Sequence, residues 1–392
     1  MHDVVVIGAG PAGSLTARLL AERGHRVLVL EEHDSVGAPV HCTGLVGSEA
    51  FTEFDLPRSL ILAHSDGARF WGAAGESVPV RSERVNAVVI DRLGLDRFLA
   101  ERAIEAGAEY RFGARAEEVA VGPHGVRILT RDSGQAFEAR TCVLACGASY
   151  RFHRALGLGL PDLFLQSAQV DAPFPEMPEI EVRFGRDVAP SGFAWMVPLR
   201  KEDVPRARIG LMSEDHSAER FRKFSRVLAH RAGVDPATIP KPRLKMLPLG
   251  PVKRSYADRV LAVGDAAGLV KPTTGGGIYY GLLSGTMAAD TLDDALTRDR
   301  LDARSLRGYE EEWRRRLGQE IRVGLAFRRI AAKLSDQSID ELIELARVDG
   351  VKPLLERTAS FNWHRRTALA LLGHPAVRRI VFRTWARGAS SV

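Results

Sequence analysis

The residues predict an α/β chain in which a Rossmann-like, parallel-sheet domain is interrupted by a mostly antiparallel β-sheet domain and followed by a C-terminal helical region. Three observations carry this prediction. Residues 4–31 read as strand, glycine turn, helix and strand; a second apolar strand ending in Gly-Asp stands at 259–265; and residues from about 150 to 247 change to period-two alternation with clustered prolines.

The first unit begins with the apolar run Val4 to Ile7, turns through Gly8-Ala9-Gly10-Pro11-Ala12-Gly13, and continues with helical periodicity from Leu15 to Arg23, where Gly24 ends the helix. A second apolar run, Val27 to Leu30, closes on Glu31. Each part has a physical task. Gly8 allows the sharp turn, Gly10 lets a pyrophosphate approach the backbone, and Gly13 lets helix and strand pack closely. Free amides at the helix start face phosphates. Glu31, eighteen residues beyond Gly13, is placed to accept hydrogen bonds from a ribose diol. A dinucleotide site follows.

Length and composition bound the rest. A chain of 392 residues, 45% hydrophobic, is large enough for one large or two modest cores. The first strand starts almost at Met1, so no leader is expected ahead of it, and glycines and Arg18 break the only apolar N-terminal stretch. Three cysteines suggest a reducing compartment, and the expected location is cytoplasmic. The net charge of +6 is uneven: from Val351 onward eight basic residues face the single acid Glu356, a local +7. No zinc-finger spacing or RNP-like aromatic motif accompanies it, so nucleic acid is not an expected partner; an anionic membrane surface or a phosphate-bearing ligand fits better.

After Glu31 a loop rich in glycine and proline, with Cys42-Thr43-Gly44, is placed to line the far end of the cofactor. Cys42 reads either as a small buried hydrophobe or as an active-site residue. A small inserted segment is expected near 55–85, a strand over Arg84 to Ile90 and a helix over Leu93 to Ala106. Arg92, at that helix start, is placed for a phosphate or ribityl oxygen, or is simply a solvated arginine. Short strands then run from Glu109 to Cys146 with turns at Gly122-Pro123 and Asp132-Ser133-Gly134. Cys142 and Cys146 on one extended strand would stand roughly 13 Å apart at about 3.3 Å per residue. That exceeds the roughly 7 Å a disulfide can span, so no bridge is expected.

In the middle domain, Ile180 to Phe184, Gly192 to Leu199 and Arg206 to Met212 read as strands and Ser217 to Ala232 as a helix. Such a sheet is suited to covering the reactive end of a cofactor. Arg259 to Asp265 then returns the chain to the nucleotide domain, and a loop leads to a helix around Ile278 to Ala289. Asp265 ends a strand where open α/β sheets bind ligands. Gly275, Gly276 and Gly277 free amides at the next helix start, and Gly281 and Gly285 continue a close-packing stripe. The expected domains are 1–150, 151–247, 248–290 and a helical 291–392.

Gly8-Ala9-Gly10-Pro11-Ala12-Gly13 with Glu31, and Val263-Gly264-Asp265-Ala266-Ala267-Gly268, resemble the FAD-binding oxidoreductases of the p-hydroxybenzoate hydroxylase type. Three further stretches resemble the geranylgeranyl reductase family: Gly37 to Leu45, Gly192-Phe193-Ala194-Trp195-Met196-Val197-Pro198, and Lys271 to Gly281. The resemblance spans roughly residues 1–292. It implies flavin-dependent saturation of carbon–carbon double bonds in polyprenyl chains, on an isoprenoid or lipid substrate. It also implies Ala12 at the pyrophosphate turn, Glu31 on the adenosine ribose, Cys42 with Thr43 and Gly44 beside the isoalloxazine, Arg92 near the ribityl-phosphate region and Ala116 at the adenine end. Asp265 would hold the ribityl chain, and Gly275 to Gly277 with Ile278 would present backbone to the ring. No metal is implied.

Two departures matter. Cys146-Gly147 stands where the hydroxylase branch carries Asp-Gly, which weakens a monooxygenase reading and leaves the electron donor open between NADPH and ferredoxin. Phe193 and Val197 stand where tyrosine and phenylalanine are common. Phe193, Trp195 and Met196 are expected to line an apolar substrate tunnel, with Cys42 as candidate proton donor. The tail helix, with Val377, Ile380, Val381 and Trp385 opposite Arg379, Arg383 and Arg387, reads as an interfacial membrane helix or as a terminal helix docked on the body. Competing readings are an aromatic or polyketide hydroxylase, a quinone-linked flavin dehydrogenase and a redox-inactive prenyl-lipid carrier. The second lacks a fourth cysteine for its cluster. Oligomeric state is not legible.

Overall fold

The computed structural model describes residues 1–82, 87–131, 134–348 and 350–389, the last six by backbone only. The chain divides into two compact units: Met1–Val40, Arg92–Leu163 and Pro248–Ile321 form the first, and His41–Asp91, Phe164–Leu247 and Arg322–Val392 the second.

In the first unit the strand His2–Ile7 lies centrally in a parallel sheet, between Val27–Leu30 and Ala136–Leu144, with Val260–Ala262 beyond the latter and Glu109–Arg111 beyond the former. Val5 stands opposite Leu28 on one side and Cys142 on the other. Val4, Val5 and Val6 are wholly buried, which is why the sequence reads as an unbroken apolar run rather than an alternating one. The helices Pro11–Glu22, Arg92–Glu105 and Ile278–Thr297 belong to this unit. Cys142 and Cys146 are both free, Cys142 within the strand and Cys146 past its end. Burial pushes both thiols up, Cys146 to about 12, so neither is a thiolate at neutral pH.

The second unit is built on a seven-stranded sheet in the order Arg243–Pro248, Phe164–Pro173, Val204–Ser213, Phe193–Lys201, Ile180–Arg183, Gly67–Trp71, Ser77–Arg81. Its helix Ser217–Ala232 lays Phe221, Phe224 and Leu228 on Ala168, Ala194, Met196, Ile209 and Leu211. The period-two pattern places Ala194 and Met196 in that core and turns Phe193 and Trp195 to the opposite face. Met196 is therefore a core residue and not a tunnel wall, a correction that strand alternation explains.

The unit boundaries differ from the expected 1–150 and 151–247. Residues 41–91 join the inserted sheet because Gly67–Trp71 runs parallel to Ile180–Arg183, with Ala68 opposite Ile180. That pairing is long-range and leaves no local signal. Ala87–Ile90 is a strand of a separate three-stranded sheet, and residues 83–86 of the expected 84–90 strand lie outside the described residues. Asp132 and Ser133 of the expected turn likewise lie outside them. The C-terminal region is helical as expected, but the unit division falls within its long helix Ala303–Ala331.

The last helix, Pro375–Ala389, uses its apolar side inside the second unit: Val377 is 4% exposed among Val78, Val80, Ile343 and Val351, and Ile380 is 6% exposed. Val377 and Ile380 are thus taken up by packing, as the docked alternative has it, while Phe382 remains 74% exposed. The side chains of Trp385 and Arg387 lie outside the described residues. Among the described residues no helix is long and apolar enough to cross a membrane.

Candidate functional site

In the first unit the glycine turn is as tight as its sequence implies. Gly8 has φ +106°, and a Cβ there would lie 2.5 Å from the Ala145 carbonyl oxygen. A Cβ on Gly13 would lie 2.1 Å from Gly8 O and 2.9 Å from Ala145 Cβ. Gly10 is different: a Cβ there would meet nothing within 4 Å. The first two glycines answer to packing, while Gly10 borders open space at the start of a helix that has Pro11 in its first turn and no side-chain cap. That donor set suits a pyrophosphate.

Glu31 directly follows the second strand and is 9% exposed. Its Oε2 accepts from the Ala9 backbone N–H at 2.9 Å, and its Oε1 accepts from His33 N at 3.1 Å and from His33 Nδ1 at 2.6 Å. A carboxylate has about four acceptor positions, so one remains for a ribose hydroxyl. Because a carboxylate only accepts, His33 carries its proton on Nδ1.

The return segment meets the turn directly. A Cβ on Gly264 would be 3.2 Å from Ala12 Cβ, and Gly281 approaches the same methyl. Thr16 Oγ1 donates to Gly285 O at 3.1 Å, and a Cβ on Gly285 would be 2.8 Å from Ala12 O. Small residues on both helices thus let the amino-terminal turn and the Gly-Asp segment, some 250 positions apart, share one end of the sheet. Ser284 Oγ accepts from Gly264 N–H at 2.9 Å and donates to Gly281 O at 2.8 Å, closing the joint.

Around Asp265 the backbone is held from beneath. Tyr150 donates its hydroxyl to Asp265 O at 2.6 Å, and His153 Nε2 donates to Ala266 O at 2.6 Å. Burial lowers the His153 pKa, and the Tyr150 hydroxyl is raised by burial first and then by Asp265, so both are neutral supports. A Cβ on Gly277 would lie 2.5 Å from Asp265 Oδ1. Gly275, at φ +71°, donates its N–H to Lys271 O at 2.8 Å, and Lys271 N–H donates to Gly276 O at 3.0 Å, folding the loop ahead of Ile278. Lys271 is itself only 4% exposed. Ala116 is buried and its carbonyl accepts from Arg151 Nη1 at 2.9 Å. Arg92 is drawn onto Asp96, with Nη2 2.8 Å from both carboxylate oxygens. Gly8, Gly10, Ala12, Gly13, Glu31, Arg92, Ala116, Asp265, Gly275 to Gly277 and Ile278 therefore all fall in the first unit. These contacts join the glycine turn, Glu31 and the Asp265 segment, a donor and acceptor set that suits the diphosphate and ribose of FAD, whereas the contacts described for Arg92 and Ala116 are with Asp96 and Arg151.

The second unit holds the other predicted residues. Gly44 N–H donates to Cys42 Sγ at 3.3 Å, and Thr43 Oγ1 donates to Gln169 Oε1 at 2.7 Å. Arg208, 7% exposed, donates from Nη1 to Thr43 O at 2.6 Å and to Ile90 O at 3.0 Å, with Nε 3.6 Å from Asp171 Oδ2. Gly44 has φ +66°, and a Cβ there would fall 2.4 Å from that same Nη1. The turn and the guanidinium are thus mutually fitted. On the sheet, Phe193 and Trp195 meet edge to face at 5.8 Å, and Phe184 meets Phe193 at 6.1 Å. Trp195 lies flat on Gly210, where a Cβ would be 2.5 Å from its ring.

Sequence reasoning missed Tyr150, His153, Ser284, Lys271, Gln169 and Arg208. Arg208 carried a signal: a single cation inside the apolar run Ala207 to Met212 that must find buried acceptors.

A family profile described as lycopene cyclase protein matches residues 3–342. Digeranylgeranylglycerophospholipid reductase 2 of Methanothermobacter thermautotrophicus is 31% identical, spanning 87% of this chain and 91% of that protein. Digeranylgeranylglycerophospholipid reductase of Methanocaldococcus jannaschii is 28% identical over 88% of this chain and 90% of its own. Among solved structures, a geranylgeranyl bacteriochlorophyll reductase-like protein from Thermoplasma acidophilum has a TM-score of 0.83 at 23% identity, covering 98% of this chain and 99% of its own.

Proposed function

The chain belongs to the geranylgeranyl reductase family of FAD-dependent oxidoreductases, and from that premise we propose that it saturates carbon–carbon double bonds in the polyprenyl chains of a lipid. The observation that carries the reading is the 31% identity to a digeranylgeranylglycerophospholipid reductase along nearly the whole of both chains. The glycine cradle joined to the Asp265 segment supports FAD as the resident group, and the Phe193 and Trp195 face supports an apolar substrate.

Saturating an isolated alkene adds a hydride to one carbon and a proton to its neighbour. Reduced FAD supplies the hydride when bound. The residues of the chain bind, orient and protonate. Gly10 and the helix start would hold phosphate, Glu31 would hold ribose, and the Gly275 to Gly277 loop, whose Gly275 N–H is taken by Lys271 O, would present its backbone to the ring with Ile278. Cys42 is our candidate proton source. Its Sγ accepts from Gly44 N–H, so the thiol hydrogen is not spent in that bond. Phe193 and Trp195 are our candidates for holding the prenyl chain in place and keeping water from it. We place the protein at an anionic lipid surface, where its substrate resides, with the electron donor left open between NADPH and ferredoxin.

Anaerobic incubation of dithionite-reduced protein with geranylgeranyl lipids should give products heavier by pairs of hydrogens in mass spectrometry; unaltered lipid would refute the reading. In the same assay Cys42→Ala is expected to lose about 10²- to 10⁴-fold in turnover, as removal of a general acid does. Cys42→Ser should retain part of that activity. Wild-type turnover in both variants, each with FAD retained, would remove Cys42 from proton transfer.

A further inference from the structure

The strand Arg243–Pro248 is the end strand of the seven-stranded sheet. Sheet edges are usually blunted with charge, and this one carries Lys241, Arg243 and Lys245 with no acid between Pro236 and Leu247. Charge alone would explain a guarded edge. It does not explain Leu244 and Met246, which flank Lys245 and are 58% and 44% exposed. Leucine and methionine held in water lose the free energy that burial would give.

The position of the strand is informative too. His41 Nε2 lies 3.1 Å from Arg243 O, so the first residue of the strand touches the side chain of the residue preceding Cys42. The His41 ring is kept neutral, first by burial and then by the nearby cations of Lys245 and Arg243.

We propose that this edge, with Leu244 and Met246 inserted among the acyl chains and Lys241, Arg243 and Lys245 on the headgroups, seats the protein on an anionic phospholipid leaflet beside the Cys42 turn. The inference rests on the polyprenyl-lipid reading above and gives it a place of contact. Alternating apolar and cationic side chains on one exposed strand match the two layers of a lipid interface. A second copy of the chain pairing edge to edge is disfavoured, because it would set one row of cations against another. The terminal helix is the weaker candidate despite its charge, since Val377 and Ile380 are already buried.

The test is sedimentation of the FAD-loaded protein with vesicles of phosphatidylcholine alone or mixed with phosphatidylglycerol. Binding is expected on the mixed vesicles and to weaken with salt. Each surface cation removed should cost about fivefold in partitioning, so Arg243→Gln with Lys245→Gln should lose about 25-fold. Leu244→Ser with Met246→Ser should also weaken binding, whereas Arg378→Gln with Arg379→Gln on the last helix should stay within about twofold of wild type, neither side chain lying on this edge. Circular dichroism and the flavin spectrum confirm that each variant is folded. The proposal is overturned if wild type ignores anionic vesicles, or if the edge variants bind like wild type. It is equally overturned if only the last-helix variant loses binding, or if Leu244→Ser with Met246→Ser dissolves a dimer seen by ultracentrifugation. Vesicle binding needs no turnover, so a protein that binds through this edge yet leaves prenyl lipids unaltered would sink the reductase reading and keep this one.

Discussion

Gly13→Ala is expected to abolish FAD retention and to lower stability by about 3 kcal/mol, near the upper end of what overpacking costs. The added methyl would sit 2.1 Å from Gly8 O and 2.9 Å from Ala145 Cβ, where non-bonded carbons settle near 3.5–4.0 Å. Neither neighbour yields by rotating a side chain: one is backbone and the other is the Cβ of the residue that follows a buried strand. Helix and strand must separate, and the helix start that would face the pyrophosphate moves with them. Gly10→Ala is the matching control. Its Cβ meets no protein atom within 4 Å and its φ of −73° is open to alanine, so stability should change by less than about 1 kcal/mol. Flavin binding should nevertheless fall if, as proposed, that face is the one the phosphates would approach. Urea midpoints and flavin absorbance after gel filtration separate the two effects. Loss of stability in both variants, or in neither, would mean that the cradle does not work as described.

The contrast between those glycines shows what was legible from residues alone. The Gly8 to Gly13 turn, the Val4 to Ile7 strand and the Ser217–Ala232 helix could be read because each is specified locally, by steric freedom, by an unbroken apolar run or by a 3.6-residue period. The joint between Ala12 and the Gly264, Gly281 and Gly285 stripe was half legible: glycines at i+4 spacing announce close packing but not its partner. What sequence could not show was pairing at a distance. Gly67–Trp71 takes its place beside Ile180–Arg183 through backbone hydrogen bonds that carry no side-chain signature. The tail helix, read as interfacial or docked, could not be decided for a related reason. Its amphipathic pattern is real, but periodicity says only that one face seeks an apolar environment, and here Ile343, Val351 and Val78 provide it. Residues that belong to a motif could be nominated from the sequence, whereas those that merely support it, such as Tyr150 under Asp265, carry no motif and could not.

Arg208 is such a support with a large expected effect. Its guanidinium satisfies Thr43 O and Ile90 O while lying against Asp171, and it is almost wholly buried. In Arg208→Met both carbonyls lose a charged donor, and Asp171 keeps only Arg206. Breaking one member of a buried ionic cluster costs about 3–5 kcal/mol; because Asp171 is 35% exposed and retains a partner, about 2–3 kcal/mol is expected here. The larger consequence concerns Cys42. The turn Cys42-Thr43-Gly44 is pinned at Thr43 by Arg208 and Gln169, and a displacement near 1 Å is enough to cost about 10²-fold in turnover. Turnover should therefore drop by about that factor with little change in KM. Alkylation of Cys42, followed peptide by peptide in mass spectrometry, should quicken while the wholly buried Cys142 stays protected. Arg208→Lys keeps the charge but not the planar fork, so it should recover stability more fully than turnover. Gly44→Ala attacks the same contact from the other side, since its Cβ would fall on Arg208 Nη1 at a φ of +66°. If Arg208→Met and Gly44→Ala both leave Cys42 alkylation and turnover at wild-type rates, the guanidinium is a structural ion only and does not position the thiol.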